Sequence, residues 1–306
     1  MWVQVPPSVP FIMNKVAFII PVWKNDFKHL EQLLKSFITV RKDEMCDLFV
    51  VMTTEEEKKS FLEKPDLDFS AYPFIKFICL TSFTNNNNTK EHGIINAKKF
   101  YGIRECIRLN EYAYMIPIDC ESYFLDLSGI RNVCDTIHNR KMFFGGRVSE
   151  DHPGPREYKL NKSCISFLKN YSNNEEDFSS IDTSIFFFWY DLPVYERKIA
   201  SKFLDFIDFE NISKLSKYLR WEHFDHTVYG YYCVAFHGYS IKCVKFIKNG
   251  IVKKATKDIF LKMQEAFRVS LFWTSLQHYI VKDKCFDNVK VLYHVDKKLQ
   301  KLSELK

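Results

Sequence analysis

Glycine is scarce in this chain, nine residues in 306. A backbone with so few residues that enter left-handed conformations freely is sparing in tight special turns, and its interior must be filled by bulky side chains. The cysteines lack any CxxC pair: nine stand at 46, 79, 106, 120, 134, 164, 233, 243 and 285, several of them inside apolar runs such as FICL and YYCVAF. An odd set with that spacing offers no zinc-finger pattern and reads as reduced, buried thiols of a protein kept in the cytoplasm. No stretch reaches the roughly 20 apolar residues that a membrane span needs, and the opening MWVQVPPSVPF lacks the charged start and long apolar core of a signal peptide. The expectation is a soluble or peripheral protein, with Met13, just before the first recognisable element, as an alternative start. A concentrated block of one charge is missing too: the net charge is +6, spread over lysine-rich patches. With no ribonucleoprotein motif and no basic heptad helix, nucleic-acid binding is set aside, while a phosphorylated ligand or an acidic surface remains compatible.

What the chain has is apolar mass, 46% hydrophobic and 16% aromatic residues, including 29 Phe and 16 Tyr. That suffices for one large domain or a core domain with an elaboration. The aromatics suit a deep cleft lined by rings, and they equally suit a base composition rich in Phe, Lys, Asn and Ile codons.

The first 120 residues alternate strand and helix. KVAFIIPVW reads as a buried strand stopped by Pro21, and NDFKHLEQLLKSF as a helix that Asn25 or Asp26 can cap, with Phe27, Leu30, Leu33, Leu34 and Phe37 on one face. CDLFVVMTT is a second strand, EEEKKSFLE a short helix with an acidic start, FIKFICLT a third strand, IINAKKFYGIRECIRL a helix and YAYMIPI a fourth strand. Four such alternations predict a mostly parallel sheet covered on both faces. Beyond it, KMFFGGR, IDTSIFFFWY and SIKCVKFI read as strands, and VYERKIASKFLDFIDF as an amphipathic helix. LRWEHFDHTVYGYYCVAFHGY carries a helical stripe of Trp221, Phe224, Val228 and Tyr231. EDHPGPREYKLNKS and KNYSNNEEDFSS are candidate loops or a lid, Asn85 to Asn88 is a polar run, and HVDKKLQKLSELK a basic surface helix that can touch anionic lipid.

Ligands of open α/β sheets gather outside the carboxyl ends of the strands. The strand ending YAYMIPIDCE closes on Asp119 and Glu121, which alternation places on one side with Cys120 on the other. Two carboxylates so spaced can hold a hard divalent cation, Mn²⁺ or Mg²⁺; alternatively Asp119 caps a helix and Glu121 faces solvent.

The order strand–helix–strand–helix–strand–helix–strand, closing on an acid-x-acid triplet, resembles the nucleotide-sugar half of glycosyltransferases with the Rossmann-like GT-A fold. The triplet Asp119-Cys120-Glu121 is closest to the Asp-x-Glu variant of bacterial and viral surface-glycan enzymes. The resemblance implies a nucleotide-sugar half over 15–125 and an acceptor-binding, catalytic half over 126–306, continuous as one domain. It places Pro21, Val22 and Trp23 near the base, and Thr53, Thr54 and Glu55 where the family often has a base-holding Asp. It places Lys98 and Lys99 near the diphosphate, with the exposed face of a helix as the competing reading. Asp119 and Glu121 would hold the metal that bridges the phosphates. In the second half, Glu222, Asp225 and His226 share one helical face by spacing. A carboxylate there, Glu222 or Asp225, would take the acceptor proton, and His226 would complete the metal site; a helix start around buried Trp221 and Phe224 is the alternative. Gly145 and Gly146 offer close approach of backbone to a sugar or a plain turn, and Trp189, Tyr190 and Asp191 a surface for a sugar ring or a packed strand end.

The implied activity is metal-dependent transfer of a sugar from a nucleotide donor to a glycan or lipid-linked hydroxyl. A sugar-phosphate nucleotidyltransferase would carry a glycine-rich loop after the first strand, where PVWKNDF has no glycine. A binding module that has lost its chemistry is the other rival. A thiol hydrolase on Cys120 is disfavoured, because flanking carboxylates raise a thiol pKa and weaken the nucleophile.

Overall fold

The computed structural model describes residues 15–41, 45–63, 68–80, 93–120, 122–124, 127, 129–151, 155–187, 192–244 and 273–275. The predicted alternation is present: β1 (Lys15–Pro21), α1 (Phe27–Val40), β2 (Cys46–Met52), α2 (Glu55–Leu62), β3 (Ile75–Cys79), α3 (Ile94–Leu109) and β4 (Tyr112–Pro117). Then follow β5 (Ser122–Phe124), α4 (Ile130–Arg140), β6 (Met142–Arg147), α5 (Pro155–Lys169), β7 (Ile185–Phe186) and β8 (Tyr195–Glu196). The remaining elements are α6 (Arg197–Phe206), α7 (Ile212–Tyr218), α8 (Asp225–His237), β9 (Ser240–Val244) and β10 (Trp273–Ser275). Among the described residues no helix is long and apolar enough to cross a membrane.

The main sheet runs β3-β2-β1-β4-β8, parallel except for β8, which pairs antiparallel with β4 through Met115 and Tyr195. A strand of the second half thus completes the sheet of the first. β1 shows why these strands read as unbroken apolar runs. Val16, Phe18 and Ile20 enter one core with α1, while Ala17 and Ile19 enter the other with α3, so both faces are buried. Helix α3 lies so close to the sheet that a Cβ on Gly102 would stand 2.5 Å from Ile19 Cγ2. A smaller sheet, β7-β6-β9, belongs to the second half, and β5 pairs with β10.

Four expectations are corrected. The segment PREYKLNKS is helical in α5. Pro155 opens that helix, a position where its missing N–H costs nothing, and Leu160, Cys164, Phe167 and Leu168 bury one face. The strand before the acidic triplet ends at Pro117, with one further ladder bond from Ile118 N–H to the Ile19 carbonyl. The Asp119 carbonyl then accepts the Ser122 N–H at 3.0 Å, so the strand has ended before Asp119 and alternation does not fix where that side chain points. Glu222 does not share a helical face with Asp225, because α8 starts at Asp225 and Phe224 before it is not helical (φ −52, ψ 121). Trp221 is accordingly not part of a helical stripe; it is 45% exposed. Helices α4 and α7 were not expected, whereas 172–184 is irregular apart from one 3-10 turn, as its composition suggests. The asparagine run and the basic C-terminal segment lie outside the described residues.

Candidate active site

The sheet order reverses between β1 and β4. From β1 the chain steps outward through β2 and β3, then crosses back to place β4 on the other flank, which leaves a crevice beyond the carboxyl ends of β1 and β4. Pro21, Val22 and Trp23 leave β1 there and Asp119 leaves β4. The Val22 side chain is itself buried, at 2% exposure, so of these three it is Trp23 that lines open space. A cavity of about 510 Å³ opens beside them, lined by Trp23, Phe27, Thr53, Thr54, Glu57 and Ile94 among others. Its polar wall is built by helix capping. Thr54 Oγ1 accepts the Glu57 N–H at 3.2 Å, and the Glu57 carboxylate reaches back to the Thr53 N–H at 2.8 Å.

Helix α3 sends two adjacent lysines inward, and neither lies on an exposed face: Lys98 is 0% and Lys99 5% exposed. Neighbouring positions on a helix point about 100° apart, which requires cover on two sides, and α3 has it. Its Lys98 and Gly102 face the sheet, while Asn96, Lys99 and Phe100 face the second half. Lys98 Nζ donates to the Val22 carbonyl and lies 5.6 Å from the centre of the Trp23 ring. Burial lowers its pKa to about 8, against the opposing pull of Glu57 and other groups.

Lys99 joins the two halves. Its ammonium lies 3.0 Å from Asp119 Oδ1 and 3.0 Å from Asp225 Oδ1. Tyr195, from β8, donates to the other oxygen of Asp225 at 3.1 Å, so both oxygens of that carboxylate are engaged. Burial alone would lower the Lys99 pKa; the charges of Asp119 and Asp225 and their hydrogen bonds outweigh it and hold the ammonium above the ordinary lysine value. Exposure separates the two acids: the Asp225 side chain is 1% exposed and that of Asp119 35%. Asp119 is the group of this network that meets solvent in the crevice.

Lys99, Asp119 and Asp225, picked from three distant segments, are therefore brought together. Glu222 lies partly exposed in the turn just before Asp225. His226 is 1% exposed with the rings of Phe143 and Phe187 set edge-on, each 5.6 Å away, and burial followed by the charges of Lys99 and Arg140 lowers its pKa to about 3. Gly145 and Gly146 lie within β6, and a Cβ on Gly145 would stand 2.6 Å from the Phe186 carbonyl oxygen, so its close backbone contact is with β7. Cys120 is buried at 4% exposure, a poor place for a nucleophile. Glu121, Trp189, Tyr190 and Asp191 lie outside the described residues, and among the described residues no group of three His, Cys, Asp or Glu converges on one point.

Two supports escaped the sequence reading. Tyr195 had no spacing to mark it. Asn96, one turn before Lys99 on α3, donates to the carbonyls of Arg220 (3.0 Å) and Trp221 (3.3 Å) and so fixes the turn ahead of α8; its signal was a polar residue at an inward position. His223 tightens the same turn, accepting the Arg220 N–H on Nδ1 at 2.9 Å. Burial, with the Arg220 charge, lowers the His223 pKa from 6.5 to about 4. Between those values the unfolded chain binds a proton that the folded chain excludes, so stability falls as pH drops below 6.5. Urea unfolding at pH 7.5 and pH 5 is expected to show a loss smaller by about 2 kcal/mol in His223→Asn than in the unsubstituted protein.

No family model matches this chain, and no curated sequence does. Among solved structures it is similar to TarS of S. aureus, at 11% identity and a TM-score of 0.33, over 62% of this chain and 29% of that one. It is also similar to the bifunctional glycosyltransferase WbbM (14%, TM-score 0.42, 88% of this chain and 46% of that one). A third is mouse xyloside xylosyltransferase 1 (9%, TM-score 0.36, 75% and 84%). The chain thus spans less than half the length of the first two.

Proposed function

We propose that this chain is a glycosyltransferase that moves a sugar from a nucleotide-sugar donor to a hydroxyl of a glycan or lipid-linked acceptor. One observation carries the reading: a cavity walled by Trp23 and Phe27 opens at the carboxyl ends of β1 and β2, and the neighbouring strand β4 runs out to the partly exposed Asp119. The rings suit a nucleobase, and the crevice end suits a diphosphate.

In this reading the base lies against Trp23, with Thr53 and Thr54 at its edge. Lys98 fixes the Val22 carbonyl and the indole beside it. It stabilises the base wall instead of reaching for phosphate, because its ammonium is already committed to the end of β1. Asp119 has one oxygen held by Lys99, and its exposure leaves room for a hard cation at the other. Mn²⁺ or Mg²⁺ would be held by Asp119 and Glu121; when bound it supplies charge neutralisation of the departing diphosphate. His226, shut between two phenylalanine rings, is left out of that set.

The transfer makes one bond and breaks one. The acceptor oxygen bonds to the anomeric carbon, the bond from that carbon to the diphosphate breaks, and the hydroxyl proton passes to a carboxylate if the configuration inverts. Glu222 is assigned that base. Asp225 is saturated by Lys99 and Tyr195 and serves as a positioning residue that keeps Lys99, and through it Asp119, in place. Trp189, Tyr190 and Asp191 remain candidates for the acceptor side. The cysteines of the described residues are buried, as suits thiols of a protein kept in the cytoplasm.

The test is a thermal-shift panel of nucleoside diphosphates with and without Mn²⁺, followed by hydrolysis of the matching nucleotide-sugars. One nucleotide is expected to raise the midpoint further when Mn²⁺ is present, and its sugar conjugate to be turned over. A nucleotide shift with no turnover would favour the binding module, and no shift with any nucleotide would sink the donor site.

A further inference from the structure

Trp221 stands out because the residue is 45% exposed while its backbone is fixed. Asn96 holds its carbonyl, Arg220 N–H is locked onto His223, and the Cys164 thiol donates to the Glu222 carbonyl at 3.5 Å. A large aromatic on a turn held from α3, from α5 and from within is preorganised for contact and loses little freedom when it meets a ligand. The turn lies beside the donor site. Asn96 is one helical turn from Lys99, and Gly93 at the start of α3 approaches Leu219 so closely that a Cβ would stand 2.8 Å from its carbonyl oxygen. A second large apolar side chain, Ile95, the neighbour of Asn96 on α3, is 44% exposed. On the outer side, the Arg156 guanidinium of α5 sits 5.7 Å from the centre of the Trp221 ring.

We infer that Trp221 and Arg156 form the acceptor platform of the transferase, and that they take an anionic glycan. A sugar ring stacks its C–H face on the exposed indole, and Arg156 meets a phosphate or carboxylate carried by that sugar or its neighbour. Glu222, the next residue, is then placed to receive the proton of the hydroxyl being glycosylated. The inference rests on the glycosyltransferase reading but has its own readout, since it concerns acceptor binding and not the nucleotide.

The probes are tri-galacturonate and mannose 6-phosphate as anionic sugars, with maltotriose as the neutral comparison, followed by saturation-transfer NMR and calorimetry on the full chain. At least one anionic probe is expected to bind more tightly than maltotriose, with an affinity that weakens as salt rises. Trp221→Ala should weaken it tenfold or more, Trp221→Phe should stay within about threefold, and Arg156→Ala should abolish the advantage over maltotriose and the salt dependence. Nucleotide binding by Trp221→Ala should match that of the unsubstituted protein, which also reports that the variant is folded. If neither anionic probe binds, or if Trp221→Ala binds them as well as the unsubstituted chain, the platform is lost. Loss of nucleotide binding in the unsubstituted protein would instead sink the donor reading.

Discussion

Lys99→Met is expected to lower the unfolding free energy by about 3–5 kcal/mol, the cost of leaving a buried charge without its partner. The Asp225 carboxylate is 1% exposed, and its two near contacts are the Lys99 ammonium at 3.0 Å and the Tyr195 hydroxyl at 3.1 Å. A methionine fills similar space but offers no charge, so the buried Asp225 carboxylate keeps the Tyr195 hydroxyl and loses its cation. Asp119 suffers less, because a carboxylate that is 35% exposed regains water. Urea unfolding measures the loss. A second substitution separates folding from the site: Lys99→Met with Asp225→Leu removes both members of the buried pair, and stability is expected to recover in part. Asp119 would still lack the ammonium that fixes it, so the Mn²⁺-linked nucleotide shift should stay weak in the double variant. A double variant as unstable as Lys99→Met would show that the cost comes from lost packing and not from the orphaned carboxylate.

The same network shows what the sequence does and does not disclose. The parallel sheet was legible because β1 and β2 are buried on both faces and write that burial as unbroken apolar runs, the first stopped by Pro21. Lys98 and Lys99 were legible as residue types but not as buried ones. A lysine pair inside an amphipathic pattern looks like a solvated face unless one knows that the end of β1 covers Lys98 and that α8 covers Lys99, the latter a contact across 126 residues of chain. Asp119 and Asp225 were each picked for local reasons, one at a strand end and one near a helix start; their meeting through Lys99 has no local trace. The helical-face argument for Glu222 failed where helix periodicity is least informative, at the boundary. His223 bonds the turn it sits in and delays the start of α8 until Asp225. Pro155 misled for the related reason that a proline marks a break and a helix start equally well.

Asp119→Ala is expected to leave the fold nearly intact and to reduce turnover by about a hundredfold or more, the scale of losing a main electrostatic stabiliser of a departing group. The two outcomes separate because of where the residue lies. Its side chain is partly solvated, and when it is removed Lys99 keeps its 3.0 Å contact with Asp225, so no buried charge is stranded. The unfolding midpoint should therefore move far less than in Lys99→Met, although both variants touch the same ion pair. What disappears is the carboxylate at the mouth of the crevice between β1 and β4. Nucleotide binding without metal should persist, since Trp23, Phe27 and the Thr53–Thr54 wall are untouched, while the extra midpoint shift produced by Mn²⁺ should vanish. Chelation with EDTA offers a parallel route: it should silence turnover by the unsubstituted protein reversibly and leave the residual rate of Asp119→Ala unchanged. Turnover in the variant equal to that of the unsubstituted protein, or an undiminished Mn²⁺ shift, would remove Asp119 from the cation site and leave it as the outer end of the Lys99 ion pair.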